Sequence, residues 1–141
     1  MIVLVSGTNR PDNNTSKVAG IVESHLRGRG RDVALLDLRS LPAALFDPSS
    51  YVEKPAEFAP MQQASLAAEG ILTVLPEYNG SCPGILKYFI DMLQFPESLK
   101  GVPAGFIGLA AGEWGGLRAV EQVEMIFQYR SAHLYGKRVF L

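Results

Sequence analysis

The chain has 141 residues, of which 48% are hydrophobic and 19% charged, enough apolar material to fill the core of one domain and too little charge for a disordered segment. Its formal net charge of −1 excludes a general electrostatic attraction to nucleic acid or to an anionic membrane surface, and no basic patch stands out. A single cysteine, Cys82, excludes an internal disulfide and any multi-cysteine metal site, so no metal is expected and the cytoplasm is the expected location.

In chain order, Met1 to Ser6 reads as a buried strand: it is apolar, too short to span a membrane and without the basic flank of a signal peptide. From Asn14 the residues Val18, Ile21, Val22 and Leu26 recur at helical spacing and stop at Gly28 and Gly30. Asp32 to Leu38 is a second strand, Leu41 to Phe58 an irregular Pro-rich and aromatic stretch, and about Pro60 to Ala68 a short helix. Gly70 to Leu75 gives the third strand and Pro83 to Leu93 a helix with proline in its first turn. Pro103 to Ala110 gives the fourth strand, Gly116 to about Ser131 the last helix, and Lys137 to Leu141 the fifth strand.

This alternation predicts one α/β domain over residues 1–141, a doubly wound parallel sheet of five strands in the order 2-1-3-4-5. Ligands in such sheets bind beyond the carboxyl ends of the strands, where the winding reverses, here between the first and third strands. Three loops are therefore of interest. Ser6 to Ser16 is rich in hydroxyls and amides and runs into a helix N-terminus, which favours an anion, with Arg10 adding a formal charge. The plainer reading is that Asn13, Asn14 or Thr15 caps the helix and Arg10 is solvated. Neither a P-loop nor a dinucleotide GxGxxG is present, which turns the expectation toward a single phosphate monoester. Leu75 to Gly84, "LPEYNGSCPG", offers an aromatic face at Tyr78 and an amide at Asn79, although a loop of this composition is ordinarily only a turn. Ala110 to Gly116 brings Gly112, Gly115 and Gly116 around Trp114, which reads as a lid, an interface anchor or a core residue. Together the three loops suit a planar heteroaromatic phosphate.

"GTNRPDNNTSKVA" followed by "PEYNGSCPGILKYFIDML" resembles the NADPH-dependent FMN reductase family, a flavodoxin-like group that includes quinone, azo-dye and chromate reductases. The resemblance rests on Pro76, Glu77, Tyr78, Asn79, Ser81, Pro83, Leu86, Lys87 and Asp91. It implies an FMN cofactor whose phosphate lies near Thr8, Arg10, Asn13, Asn14 and Thr15. Pro76, Glu77, Tyr78, Asn79 and Gly80 would line the isoalloxazine ring, with Gly112, Gly115 and Gly116 bordering its other side. The implied activity is a ping-pong transfer from NAD(P)H to FMN and then to a flavin, quinone or similar small acceptor, with the chemistry carried by FMN and no catalytic side chain required. Two alternatives stay open: a flavodoxin-like electron carrier, and a degenerate interaction protein without FMN.

Asp12 and Asn13 stand where this family commonly has Gly-Ser, and Asp12 suits a phosphate site only if it points away or caps the helix. Similar proteins also continue into a terminal helix, whereas this sequence stops at Leu141, so apolar surface is expected over the outer strands: either a partner subunit covers it, as a homodimer or homotetramer would, or the sequence is shortened, or the protein is marginal in stability. Blander roles are expected elsewhere. His25 and His133 read as solvated or structural, and Cys82 as inert. Arg27, Arg29 and Arg31 complement a helix C-terminus, Lys87 and Asp91 form a helical pair, and Glu77 is a loop acid rather than a proton donor.

Overall fold

A computed structural model describes all residues from Met1 to Leu141. The β-strands are β1 (Ile2–Ser6), β2 (Val33–Asp37), β3 (Gly70–Pro76), β4 (Pro103–Leu109), β5 (His133–Leu134) and β6 (Val139–Phe140). The helices are α1 (Asn14–Gly28), α2 (Ala59–Leu66), α3 (Gly84–Met92) and α4 (Leu117–Tyr129). All pairings are parallel, and the order is β2-β1-β3-β4-β5, with β6 also on β4. The predicted order is thus observed, with one difference at the edge. The expected fifth strand is two short pieces, His133 and Leu134 opposite Pro103 and Ala104, then Val139 and Phe140 opposite Ile107 and Gly108. Between them Tyr135 to Arg138 leaves the sheet, and Arg138 reaches back to Glu124 at 3.5 Å and Glu121 at 3.8 Å on α4. The stretch expected to be irregular contains short 3₁₀ turns, Ala43–Phe46, Pro48–Tyr51 and Ala56–Phe58, which bury Leu45 and Phe58.

Alternation along the strands divides the core. Val3, Val5, Ile71, Leu75, Ala104 and Phe106 face a cluster of 20 buried residues shared with α3, α4 and the segment after β2. Leu4, Val74 and Ile107 face a smaller cluster of 5 buried residues completed by Val33 of β2 and Ala19 of α1. On that second face Gly105 presents no side chain, and Leu72 lies over it: a Cβ at Gly105 would stand 3.3 Å from Leu72 Cδ1. At the β6 edge Val139 and Phe140 are exposed.

The register brings three chain reversals to one edge. Ser6 of β1 lies opposite Val74 of β3, and Pro76 lies opposite Leu109 of β4. Gly7 makes the first of these approaches possible, since a Cβ there would stand 3.0 Å from the Val74 carbonyl oxygen.

Candidate functional site

At this edge a cavity of about 810 Å³ opens between the loops that follow β1, β3 and β4. It is lined on one side by Arg10 to Thr15, Lys17 and Val18, and on the other by Pro76, Glu77 and Tyr78, with Leu109, Ala110, Ala111 and Leu141 closing it.

The first wall is a helix entry. Asp12 takes a left-handed conformation (φ 47°), and Asn13 returns to extended backbone as the N-cap of α1. Asn13 Oδ1 accepts from the Ser16 N–H at 2.7 Å, and its Nδ2 donates to the Arg10 carbonyl. The side chain of Asn13 therefore fastens the loop to the helix. The N–H groups of Asn14 and Thr15 lie in the first turn, take no acceptor from the chain and stand at the positive end of the helix dipole. Thr15 is buried, and Ser6 and Ser16 hydroxyls lie 3.2 Å apart beneath it.

Charge at this wall is mixed: beside Arg10 and Lys17 stands Asp12, which lines the cavity and neither caps α1 nor pairs with a cation. Asp12 acts electrostatically on Arg39, whose guanidinium is held above its ordinary value by its hydrogen bond to Asp37, by the Asp37 charge and by Asp12. The Glu77 carboxylate is engaged by α4, accepting from the Arg118 N–H at 3.2 Å with the Arg118 guanidinium at 3.8 Å. Arg10 and Lys17 remain as the cavity's cations. Lys17 was not expected here; it lies one turn into α1 on the face of the N-cap, with Nζ 3.4 Å from Asn14 Oδ1.

The second wall, Pro76 to Tyr78, runs into a two-residue β-hairpin whose tip, Asn79 and Gly80, expected to line the ring, lies outside the cavity lining. Tyr78 and Ser81 exchange backbone hydrogen bonds of 2.9 and 3.1 Å, with Asn79 at φ 53° and Gly80 at φ 72° between them. Positive φ at both central positions is the type I′ turn that matches strand twist, and Asn-Gly is its preferred dipeptide. Turn geometry thus accounts for Asn79 and Gly80, whose own N–H groups take no acceptor from the chain. Tyr78 braces the two walls. Its hydroxyl is 2.7 Å from Thr8 Oγ1, a fully buried oxygen that also accepts the Arg10 N–H at 3.3 Å. The Arg10 guanidinium carbon lies 3.9 Å from the centre of the Tyr78 ring, so the arginine covers that face. Tyr78, expected to offer an aromatic face to the ring, is here braced by Thr8 with one face covered by Arg10.

The glycine loop is placed differently from Arg10, Asn13, Asn14, Thr15, Pro76, Glu77 and Tyr78. Gly112 and Gly115 line a separate cavity of about 300 Å³ with Trp114 and Phe140. Gly115 and Gly116 have positive φ, and a Cβ would stand 2.8 Å from Phe140 Cβ at Gly115 and 2.8 Å from the Leu109 nitrogen at Gly116. Both glycines are required by packing against β4 and β6. Where Gly112, Gly115 and Gly116 were expected to border the site, the preceding residues Ala110 and Ala111 line the cavity instead.

The remaining residues take the plain roles expected of them. Burial pushes the Cys82 thiol up, away from thiolate chemistry. Lys87 and Asp91 pair at 2.7 Å, Arg27 holds Glu23 and the Val33 carbonyl in the last turn of α1, and His25 and His133 are exposed.

Similarity to known proteins agrees with this geometry. The family model for NADPH-dependent FMN reductase matches residues 1–141. A protein named NAD(P)H-dependent FMN reductase in Pseudomonas aeruginosa is 29% identical over 111 residues, 77% of this chain and 59% of the relative. The chain thus spans about 60% of the length of the curated relatives it matches. The structure of FerB, a flavoenzyme NAD(P)H:(acceptor) oxidoreductase from Paracoccus denitrificans, superposes with a TM-score of 0.79 at 25% identity, covering 96% of this chain and 74% of that one. A Pseudomonas aeruginosa flavodoxin shares the fold, with a TM-score of 0.68 at 20% identity over 99% of this chain and 82% of that one. The match over the whole length and the cavity at the β1–β3 switch point lead to one conclusion: the chain belongs to the NADPH-dependent FMN reductase family, on a flavodoxin-like fold.

Proposed function

We propose that the cavity between β1 and β3 binds FMN and that the protein is an NAD(P)H-dependent oxidoreductase. The observation that carries this reading is the first wall: two uncommitted N–H groups at the start of a 15-residue helix, with Arg10 and Lys17 as cations and the Glu77 carboxylate held by Arg118. These donors suit a phosphate monoester. The about 810 Å³ of space beyond them, walled by Pro76 to Tyr78 and by Leu109 to Ala111, is within the range of a cofactor site and has room for a three-ring heterocycle. When bound, FMN supplies two-electron transfer from NAD(P)H to a flavin, quinone, azo compound or similar acceptor in alternation.

The chain's own part is to bind and orient. Thr8, Asn13, Asn14 and Thr15 build the phosphate wall, and Arg10 neutralises it after leaving the Tyr78 face. The N–H groups of Asn79 and Gly80, which take no acceptor from the chain, are assigned to favour negative charge on a ring placed against them. No side chain is assigned acid–base work, since Glu77 is committed to α4. Self-association belongs to the same proposal. The shallow groove between α3 and α4, with exposed Phe95, Met125 and Tyr129, is a surface suited to it.

The purified protein, reconstituted with FMN under anaerobic conditions, is expected to turn yellow and to be bleached by NADPH or NADH. A protein that takes up no FMN would overturn the proposal, and one that binds FMN without being reduced by either nucleotide would be an electron carrier.

A further inference from the structure

The hairpin that forms the second wall is held from outside the cavity by α4. Gln122 Oε1 accepts from Ser81 Oγ at 2.6 Å and from the Cys82 N–H at 3.2 Å. Because a backbone N–H can only donate, the atom of Gln122 facing Cys82 must be the oxygen, which fixes the orientation of the amide. The hairpin is also held on its incoming side, by Glu77 to the Arg118 N–H and by Tyr78 to Thr8. Beyond Gly80 the outgoing strand pairs with Tyr78 alone; Cys82 packs against the main core cluster, and Gln122 is the one side chain that hydrogen-bonds this arm to the rest of the molecule before α3 begins.

We propose that Gln122 is a positioning residue for the cofactor-facing hairpin, setting the outgoing arm and through it the Asn79 and Gly80 N–H groups. The proposal rests on the reading of the neighbouring cavity as the flavin site. Gln122 touches neither the cavity nor its ligand, so its effect is transmitted through Ser81 and Cys82. A Gln122→Met variant keeps the length and apolar bulk of the side chain and removes the acceptor. A Gln122→Glu variant retains an acceptor for both donors.

Two measurements on the full chain test this. In hydrogen exchange without flavin, Gln122→Met is expected to speed exchange of the Cys82 amide by roughly tenfold while leaving β1 and β3 unchanged, and Gln122→Glu to restore protection. In flavin titrations, Gln122→Met is expected to weaken FMN and riboflavin by the same factor of roughly ten, because the hairpin faces the ring and not the phosphate. Gln122→Glu is expected to recover both. Unchanged exchange at Cys82, or a loss of affinity confined to FMN, would overturn the proposal, as would a defect that Gln122→Glu fails to repair. Flavin uptake by the unaltered chain is measured first and tests the underlying reading; the exchange measurement decides the role of Gln122 in holding the hairpin whatever its result.

Discussion

Arg10 sits between two partners, the Tyr78 ring it now covers and the anion it is proposed to meet. Its removal is therefore expected to separate the phosphate from the ring in binding. Arg10→Ala should weaken FMN by roughly ten- to a hundredfold, the loss of one charge-assisted hydrogen bond, while leaving riboflavin affinity nearly unchanged. Equal losses for both flavins would show that Arg10 acts on the ring wall through Tyr78. At this scale the sequence was informative where a residue's role follows from its neighbours along the chain. Asn13 as cap, Arg10 beside it and Lys87 with Asp91 are local relations. It was silent on the Tyr78 to Thr8 contact and on the Glu77 to Arg118 contact, which join residues 70 and 41 positions apart. Asn79 and Gly80 were readable in a different sense, since the Asn-Gly pair announces an I′ turn before it announces a ligand.

At the scale of elements, the strands and helices were legible because apolar periodicity and glycine punctuation coincide, as at the end of α1. The interruption between β5 and β6 was not, because Tyr135 to Arg138 leaves the sheet to satisfy Arg138 with Glu121 and Glu124, an arrangement set by α4. Two glycines of the loop after β4 have a packing role for a related reason: Gly115 and Gly116 answer to close approach by β6 and β4, while Gly112 has open space around it. That packing is testable next to an unconstrained glycine. Gly108→Ala would place a Cβ 2.9 Å from the Gly115 carbonyl oxygen and 3.0 Å from Val120 Cγ2, and is expected to destabilise the protein by roughly 1–3 kcal/mol. Gly20→Ala, on α1 with open space around it, is expected to stabilise by about 0.5–1 kcal/mol. Urea unfolding of both variants checks the contrast, and similar changes in the two would refute the packing argument.

For the molecule as a whole, one ion pair at the functional edge makes stability respond to acid. Burial would raise the Asp37 carboxyl, but the Arg39 side chain, the Arg39 N–H and the guanidinium charge together hold it below the ordinary carboxylate range. A carboxyl depressed in the folded state adds stability above its unfolded pKa, about 3.9, and loses that contribution as pH falls through the folded value. Asp37→Asn keeps an acceptor for the Arg39 N–H and removes the charge. The variant is expected to be less stable than the parent at pH 7, with the gap closing below about pH 4 in pH-dependent denaturation; a gap independent of pH would place the effect outside the ion pair. The broken strand at the far edge has a consequence for how copies of the protein meet. A long continuous outer strand invites another chain to add on through unpaired N–H and C=O groups. Here each piece is two residues long, and Lys137 and Arg138 interrupt them with positive charge. An incoming strand finds no uninterrupted row to copy, so sheet extension by another chain is disfavoured at this border.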